Sequence, residues 1–205
     1  KAADVDGDGA LDLIVPISNL SRVMCLDPAS GAVKWACQLP RPECIDTPPW
    51  IGDLDGDADI EIVVGTFSGN YHVIGLQALQ RPQRHGLDGA VARTLKVAPG
   101  AVQSCPIVMD LNADGVNDFI AANFRGDHCL HAVSGKDGAE LWKIQTGSHL
   151  YHGPAVGNLT GDASPEIVFG SYDAAVYCTD LAGNLLWKVN PGDRYFMSPC
   201  HIGFT

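Results

Sequence analysis

The stretch Asp4-Val-Asp-Gly-Asp-Gly-Ala-Leu-Asp12, followed by Leu-Ile-Val, is the strongest indication of the fold, because related stretches recur along the chain. The second copy is Asp-Leu-Asp-Gly-Asp-Ala-Asp-Ile-Glu (53–61), the third is Asp-Leu-Asn-Ala-Asp-Gly-Val-Asn-Asp (110–118), and the fourth is Asn-Leu-Thr-Gly-Asp-Ala-Ser-Pro-Glu (158–166). We call these stretches loops 1 to 4. The repeats begin near residues 4, 53, 110 and 158. A period of roughly 50 residues is typical of architectures in which similar units stack on one another.

Each repeat contains the parts of a small antiparallel sheet. A proline precedes the loop by four residues in three repeats: Pro49, Pro106 and Pro154. An apolar strand follows each loop, then a second strand, as at Ser21–Leu26 and Ala174–Thr179. A third strand ends in a tryptophan in three repeats: Trp35, Trp142 and Trp187. The second repeat lacks this tryptophan and has an insertion around Gln77–Asp88.

Four short strands in each repeat, with glycine turns between them, indicate the blade of a β-propeller. We therefore predict that residues 1–205 are an all-β propeller segment of about four blades. Helices should be few, because no stretch has a sustained 3.6-residue apolar period. A single sheet cannot bury both of its faces, so we expect the tryptophans to pack between neighbouring blades.

The two ends of the sequence allow two interpretations. The first repeat starts at its acidic loop, without a preceding strand, and residues 195–205 resemble such a strand without its loop. Either this segment completes the first blade and closes a four-bladed ring, or it opens a further blade. We favour the second interpretation, in which the chain is part of a larger propeller, because most propellers have more blades than this minimum.

The charge of the chain is concentrated in the loops. The net charge is −11, and 14 of the 24 carboxylates lie in loops 1 to 4. Acids at this density repel one another unless a cation lies among them. Basic residues are few and scattered, which argues against a nucleic-acid partner. No apolar run approaches the roughly 18 residues that a membrane-spanning helix needs, so we predict no membrane span.

Oxygen-bearing side chains occupy positions 1, 3, 5 and 9 of the loops. They are Asp4, Asp6, Asp8 and Asp12; Asp53, Asp55, Asp57 and Glu61; Asp110, Asn112, Asp114 and Asp118; and Asn158, Thr160, Asp162 and Glu166. Position 7 should add a main-chain carbonyl, from Ala10, Asp59, Val116 and Ser164. About five to seven hard oxygen ligands suit Ca²⁺ and suit Zn²⁺ or Cu²⁺ poorly.

The EF-hand is the competing interpretation of such loops, and it requires a bidentate Glu at position 12. That position here is Val15, Val64, Ala121 or Phe169, and a strand follows, so the EF-hand is excluded. Solvated acidic turns are the other alternative, and three near-identical copies at blade spacing argue against it. Because Asn158 and Thr160 replace two carboxylates, we expect three calcium sites and a weaker fourth.

At these residues the chain resembles the FG-GAP repeats, also called VCBS-type repeats, of integrin alpha subunits and many secreted bacterial proteins. The resemblance covers all four repeats and rests on the Asp-x-Asp-Gly-Asp loop followed by a hydrophobic strand and Gly. It implies a propeller with calcium loops on one rim. It also implies an extracellular, cell-surface or periplasmic protein that binds other proteins or glycans, for example in adhesion.

The segment between the second and third strands also resembles the quinoprotein propeller repeat. Asp27, Ser30, Gly31 and Trp35 match its Asp-x-x-Thr-Gly-x-x-x-Trp pattern, with Ser in place of Thr. In that family the motif docks neighbouring blades, so the resemblance implies packing rather than catalysis.

We therefore predict a binding or structural scaffold module rather than an enzyme, without catalytic residues or an organic cofactor. The alternative is a section of a secreted enzyme, either a quinoprotein-like dehydrogenase or a polysaccharide-degrading enzyme. The pairs His128/His131 and His149/His152 have close spacing, but residues 128 and 131 of a strand face opposite sides, so we interpret these as rim histidines. The seven cysteines contain no Cys-x-x-Cys motif, and their pairing is left open.

Overall fold

A computed structural model describes residues 1–75, 89–162 and 164–192. It consists of four antiparallel sheets of four strands each, which confirms the predicted all-β class and the blade architecture. In the described residues the single helical element is a short 3₁₀ turn at Ser18–Leu20, and no helix there has the length and apolar character needed to cross a membrane. The insertion at Gln77–Asp88 and the predicted strand at 195–205 lie outside the described residues.

The strands follow one another along the chain within each blade. The first blade contains β1 (Ala2–Ala3), β2 (Asp12–Ile17), β3 (Arg22–Leu26) and β4 (Val33–Gln38). The second contains β5 (Trp50–Gly52), β6 (Glu61–Gly65), β7 (Asn70–Gly75) and β8 (Ala90–Lys96). The third contains β9 (Ile107–Met109), β10 (Asp118–Ala122), β11 (Cys129–Val133) and β12 (Glu140–Gln145). The fourth contains β13 (Ala155–Gly157), β14 (Glu166–Ser171), β15 (Ala175–Thr179) and β16 (Leu185–Val189).

This strand order determines which connections share an end of the blades. Each acidic loop joins the first strand of its blade to the second, and the turn between the third and fourth strands lies at the same end. We call this end the loop rim. The turn between the second and third strands, and the connection to the next blade, lie at the other end, which we call the connection rim.

One irregularity recurs in all four blades. The pairing of the third strand with the fourth shifts by one residue at Cys25/Leu26, Val73/Ile74, Ala132/Val133 and Cys178/Thr179. The fourth strand therefore carries one extra residue at this bulge: Lys34, Ala92, Leu141 and Leu186 in blades 1 to 4. Bulges re-aim side chains, and this one lies on the loop rim.

The apolar core lies between neighbouring blades. Trp35 is 6% exposed and belongs to a cluster that includes Ile62 and Ile74 of the second blade. The indole N–H of Trp142 donates to the carbonyl of Leu181 in the fourth blade at 2.9 Å. The predicted packing role is thus confirmed for these two tryptophans. Trp187 is 44% exposed, in line with the description of the chain as part of a larger propeller, since the described sheets do not close into a ring.

The expectation that the first repeat lacks its first strand was wrong. Ala2 and Ala3 form a short strand that pairs with Leu13 and Asp12. The amide of Ile14 also donates to the carbonyl of Lys1 at 2.8 Å, which extends this pairing. In the four-bladed interpretation, the segment at 195–205 would pair with β2 to close the ring. That edge of β2 is paired with β1 instead.

Candidate metal centre

The first residue of each loop anchors the backbone that follows it. In loop 1 the two carboxylate oxygens of Asp4 accept the amides of Gly7 and Gly9, at 2.8 and 2.9 Å. In loop 2 Asp53 accepts the amides of Gly56 and Ala58, at 2.7 and 3.0 Å. Asp110 holds loop 3 in the same way through the amides of residues 114 and 115, and Asn158 accepts the amide of residue 161 in loop 4. In each loop the side chain at position 1 therefore holds the following backbone in a tight turn by accepting its amides.

The curl requires left-handed backbone at positions 4 and 6 of the loops. In loop 1 these are Gly7 and Gly9, with φ of 74° and 86°. Loop 2 places Ala58 at position 6 with φ of 71°, and loop 3 places Ala113 at position 4 with φ of 60°. Glycine adopts this region at no steric cost whereas alanine is strained there, which explains why glycine dominates these positions in the sequence.

The last residue of each loop is also the first residue of the second strand of its blade, and its carboxylate lies beneath the loop. Asp12 and Asp118 are fully buried, and Glu166 is 3% exposed. Each accepts the backbone amide of position 2, as in the 3.2 Å bond from Val5 to Asp12 and the 2.9 Å bond from Leu54 to Glu61. A buried carboxylate needs such partners, because an uncompensated charge away from water is costly.

The acidic side chains at positions 1, 3 and 5 converge in the first two loops. In loop 1 carboxylate oxygens of Asp4, Asp6 and Asp8 lie within 4.8 Å of one another, and in loop 2 the same holds for the set 53, 55 and 57. The amide of position 7 donates to the carboxylate of position 5 in every loop: Ala10 to Asp8, Asp59 to Asp57, Val116 to Asp114 and Ser164 to Asp162. The alternate residues of the predicted ligand set therefore point to a common centre in these two loops.

Lys34 distinguishes loop 1 from the others. From the bulge of β4 its ammonium group lies 2.6 Å from a carboxylate oxygen of Asp12, 3.0 Å from one of Asp6 and 3.6 Å from one of Asp8. The hydrogen bond from Lys34 lowers the pKa of Asp6, and the bond to Asp12 is the main reason that the pKa of Lys34 lies above its ordinary value. A cation of the chain itself thus occupies the centre of loop 1.

Loop 2 has no such cation at its centre. The bulge residue there is Ala92, and an open cavity of about 220 Å³ is lined by Ala92, Arg93 and four acidic residues of the loop, Asp55, Asp57, Asp59 and Glu61. Burial raises the pKa of Glu61 to about 7, and the charges of Asp55 and Asp57 add to the rise. Burial and the neighbouring carboxylates therefore both disfavour the ionised form of Glu61.

Loop 3 is joined to loop 2 by hydrogen bonds. Asn112 supplies an amide oxygen where the first two loops have a carboxylate, and that oxygen accepts the amide of Asp114 at 2.9 Å. The side-chain amide of Asn117 donates to the carbonyl of Asp53 at 3.2 Å, which joins the two loops. Lys136 is 64% exposed and lies 3.9 Å from Asp114, too far for a tight ion pair.

Loop 4 satisfies its polar groups internally. The hydroxyl of Thr160 donates to one carboxylate oxygen of Glu166 at 2.9 Å, and the amide of Leu159 donates to the other at 2.6 Å. The side-chain amide of Asn158 also donates to the carbonyl of Asp162. This arrangement leaves two charged residues and no converging acidic triad.

Three of the four predicted rim histidines, His128, His149 and His152, lie on the connection rim, whereas the prediction was wrong for His131, which is 3% exposed within β11. The rings of His128 and His149 are in contact, with centroids 4.5 Å apart, and His149 lies 5.5 Å from Phe124. Phe124 also contacts Tyr151 at 4.9 Å, and the guanidinium of Arg125 lies 5.4 Å from the ring of Phe124. We call this group, with His152 and Tyr172, the aromatic cluster. His131 lies instead inside the third blade, between Asp127 and Glu140.

Sequence reasoning missed the role of Lys34. The signal was present, because the residue before the aligned tryptophan is a lysine in the first repeat and a leucine in the third and fourth. The bulge that turns this residue toward the loop is not visible in the sequence. Burial of the thiols was also not predicted: the cysteines of the described residues are all unpaired, and Cys25, Cys37, Cys129 and Cys178 are buried.

Comparison with known proteins supports the β-propeller fold. No protein-family model and no curated protein matches the chain. Among solved structures, the V. cholerae biofilm matrix protein Bap1 superposes with a TM-score of 0.62 at 23% identity, over 92% of this chain and 28% of Bap1. BamB from Moraxella catarrhalis gives 0.54 at 17% identity, over 93% of this chain and 49% of BamB.

BBS1N, from its complex with ARL6DN, gives a TM-score of 0.61 at 12% identity, over 95% of this chain and 56% of BBS1N. The chain thus spans between 28% and 56% of the length of these three proteins. At such identities the likeness concerns the β-propeller fold alone, because one fold hosts many functions.

Proposed function

We propose that this chain is a calcium-binding β-propeller module of the FG-GAP type, which acts outside the cytoplasm as a scaffold for binding a protein or a glycan. The observation that carries the proposal is the convergence of three carboxylates within 4.8 Å in loop 1 and again in loop 2. Hard carboxylate and carbonyl oxygens are the donors that Ca²⁺ prefers. Calcium, when bound, would supply positive charge at the centre of each loop and hold it against the underlying strands.

The chemistry of the loop residues fits this ion. In loop 1 the ammonium of Lys34 lies among Asp6, Asp8 and Asp12. This arrangement of carboxylates therefore already binds a positive charge, that of the lysine side chain. In loops 2 and 3 the corresponding bulge residues are Ala92 and Leu141, which bring no charge. We therefore propose loops 2 and 3 as the stronger calcium sites, loop 1 as a site where the ion must displace Lys34, and loop 4 as the weakest.

A location outside the cytoplasm follows from the proposed ion. Exposed loops with two to five carboxylates resemble the calcium sites of extracellular modules, whose dissociation constants are about 10⁻⁴ to 10⁻³ M. Free calcium reaches such levels outside cells and not in the cytosol.

We place the partner-binding surface at the aromatic cluster of the connection rim. Phe124, Tyr151 and Arg125 lie together there, and aromatic residues and arginine are enriched where proteins bind partners. Loops on a rigid scaffold are the usual place for such contacts. Calcium at the loop rim would then stiffen the blades that present this surface.

Thermal unfolding with Ca²⁺ and with a chelator tests the proposed ion, together with calorimetric counting of bound ions. A ligand bound only to the native state stabilises it by about 4 kcal/mol at a thousandfold excess over its dissociation constant. We expect a large calcium-dependent rise in Tm, with two ions bound tightly and a third more weakly. Mg²⁺ at the same concentration is the control and should give a smaller rise, since its rigid octahedral demands suit this loop less well. An unchanged melting curve with no bound ion would refute the calcium assignment.

Binding to a glycan array, compared between the wild-type chain and a Tyr151→Ala, Arg125→Ala variant, tests the surface. We expect the variant to lose binding while retaining the calcium-dependent rise in Tm. Equal binding by the two proteins would place the partner elsewhere.

A further inference from the structure

A cluster of one carboxylate, one thiol and one imidazole lies in the third blade, away from the acidic loops. Ligand atoms of Asp127, Cys129 and His131 lie within 4.8 Å of one another. Cys129 and His131 are alternate residues of β11, so they share one face of the strand, and Asp127 precedes them at the connection rim. Cys129 is 1% exposed and His131 is 3% exposed, whereas the Asp127 side chain is 32% exposed. The cluster is thus buried on one side and reachable from solvent on the other.

Both ring nitrogens of His131 face a carboxylate. Nε2 lies 3.1 Å from an oxygen of Asp127, and Nδ1 lies 3.3 Å from an oxygen of Glu140. A neutral imidazole has one N–H, so it can donate to one of these carboxylates, and its other nitrogen then presents a lone pair to the second. Two arrangements satisfy both nitrogens: an imidazolium that donates to both carboxylates, or a metal ion bound by Nε2 and Asp127 with Nδ1–H donating to Glu140.

The remaining polar neighbours hold the cluster in place. Both N–H groups of the Gln145 amide donate to main-chain carbonyls, of Asp127 at 2.8 Å and of Thr146 at 2.9 Å. Its oxygen therefore faces the sulfur of Cys129, at 3.3 Å. Asn123, which is fully buried, donates its amide to Asp127 at 2.8 Å, while its own side-chain oxygen has no hydrogen-bond partner.

We propose that Asp127, Cys129 and His131 form a binding site for a borderline-soft divalent transition metal ion, of which Zn²⁺ is the type. Sulfur, imidazole nitrogen and carboxylate oxygen are the ligands that Zn²⁺ takes, and three of them with a fourth position open make a complete zinc site. Two ligands about 2.0 to 2.1 Å from one tetrahedral ion lie roughly 3.3 Å apart. The 3.1 Å between Asp127 and His131 matches this spacing.

The roles within the site follow from the contacts. Cys129 binds as the thiolate and releases its proton to solvent, as metal binding to a thiol requires. Glu140 accepts Nδ1–H of His131 and orients the ring, which is the carboxylate–histidine arrangement found behind zinc ligands. This site is independent of the proposed calcium sites, because it uses nitrogen and sulfur and lies at the other rim.

The equivalent strand positions show that this cluster is particular to the third blade. His131 corresponds to Met24, His72 and Tyr177 in the other three blades, and Cys129 corresponds to Arg22, Asn70 and Ala175. His72 is the informative counterpart, since it is also buried and paired with a carboxylate, Glu43, at 3.4 Å. It lacks a neighbouring thiol and serves as a matched control.

Titration of the calcium-saturated chain with Co²⁺ and then Zn²⁺, under a non-thiol reductant, tests the site. We expect one Co²⁺ per chain with a thiolate-to-cobalt charge-transfer band in the near ultraviolet, and displacement of that ion by Zn²⁺. Cys129→Ser, a nearly isosteric change, should abolish the band and weaken Zn²⁺ binding by more than roughly 100-fold, and Glu140→Gln should weaken it by roughly 10- to 100-fold.

The controls are His72→Gln in the second blade and Cys178→Ser, a buried thiol of the fourth blade. We expect both to retain the band and the affinity. Absence of the charge-transfer band in the wild-type chain would overturn the proposal even if every variant failed to fold. A band that persists in Cys129→Ser, or that is lost equally in His72→Gln, would also overturn it.

Discussion

Loops 1 and 2 have nearly the same sequence and backbone, and they differ in how their negative charge is balanced. Both curl around an aspartate at position 1, both bring three carboxylates within 4.8 Å, and both end in an acid beneath the loop. In loop 1 the ammonium of Lys34 lies 2.6 Å from that acid, Asp12. In loop 2 the equivalent bulge residue is Ala92, a cavity takes the place of the ammonium, and the pKa of Glu61 rises to about 7.

A metal-binding motif therefore cannot be ranked from its ligands alone. Loops 1 and 2 both have an acid at positions 1, 3, 5 and 9, so their sequences give them the same rank, yet the centre of loop 1 already holds the ammonium group of Lys34. An incoming ion must displace Lys34 before it gains the carboxylates, so part of its binding free energy is spent on that displacement. In loop 2 the equivalent bulge residue is Ala92, whose side chain carries no charge to compete with an ion.

The largest expected effect comes from removing the anchoring acid of each loop in turn. Asp53→Ala should abolish calcium binding at loop 2 and remove up to about 4 kcal/mol of calcium-dependent stabilisation at a thousandfold excess of the ion. Asp4→Ala, the matched change in loop 1, should remove much less, because Lys34 limits occupancy there. Chemical unfolding with and without Ca²⁺ measures both differences, and equal losses in the two variants would contradict the comparison.

Exchanging the bulge residues should reverse the ranking of the loops. We expect the Lys34→Ala, Ala92→Lys exchange to raise calcium affinity at loop 1 and lower it at loop 2 by roughly tenfold each, since one ion pair of this kind is worth about a tenfold change in binding. Loop-specific affinities follow from calorimetry in backgrounds where the other loop is disabled. Lys136→Ala is the control, because this exposed lysine lies 3.9 Å from Asp114 and should change affinity little.

The pH dependence of stability in the calcium-free chain should have opposite signs in the two loops. The pKa of Glu61 lies above its ordinary value of 4.5, so the stability it contributes is present at low pH and is lost as pH rises from 4.5 through about 7. Lys34 lowers the pKa of Asp6 below 3.8, so the stability from Asp6 is present above that value and is lost as pH falls further.

Unfolding free energies across pH, compared with those of Glu61→Gln and Asp6→Asn, measure these two contributions. Glu61→Gln should remove the pH dependence of the unfolding free energy between pH 4.5 and about 7 and leave the acidic range unchanged. Asp6→Asn should remove the pH dependence below pH 3.8 and leave the higher range unchanged. Solvent screening at these partly exposed groups keeps both effects smaller than those of the preceding variants. A Glu61→Gln profile identical to that of the wild-type chain would contradict the pKa assignment.

The smallest effect concerns the backbone of loop 2. Ala58 has φ of 71° where loop 1 has Gly9, so Ala58→Gly should relieve strain and stabilise the calcium-free chain by about 0.5–1 kcal/mol. Ala10→Gly is the control: this alanine is not among the positive-φ residues, and the change should destabilise by roughly 0.5–1 kcal/mol. Equal signs for the two variants would show that the backbone of loop 2 is not strained at this residue.

Much of the architecture was predictable because its determinants are local. The repeated loop, the apolar strand after it and the glycine turns each act within about ten residues, which is the range over which turn geometry and strand alternation operate. The packing of Trp35 and Trp142 was predictable from their place in the repeat. The short strand at Ala2–Ala3 was missed because two small residues carry no strand signal of their own.

The candidate sites were predictable only in part. The oxygen side chains at alternate loop positions follow from the sequence, and loops 1 and 2 bring them together. In loop 4 the hydroxyl of Thr160 donates to Glu166, and the spacing of these residues alone does not indicate this hydrogen bond. The cluster of Asp127, Cys129 and His131 was not predictable from spacing, because the position of Asp127 depends on the turn that precedes β11 and the orientation of His131 depends on Glu140 of the neighbouring strand.

The sequence alone determined that this is a repeated all-β chain with four related loops, three of them strongly acidic, because strand, turn and loop preferences are written in adjacent residues. Only the tertiary structure shows which loop has a lysine at its centre and which has a cavity, and which side chains contact the residues of β11. Those outcomes depend on a bulge that turns Lys34 toward loop 1, and on cross-strand pairing that brings Glu140 and Gln145 to His131 and Cys129. Side chains far apart in sequence come within a few ångströms of one another only after the sheets have formed. The energy of their charge–charge interactions depends on those short distances.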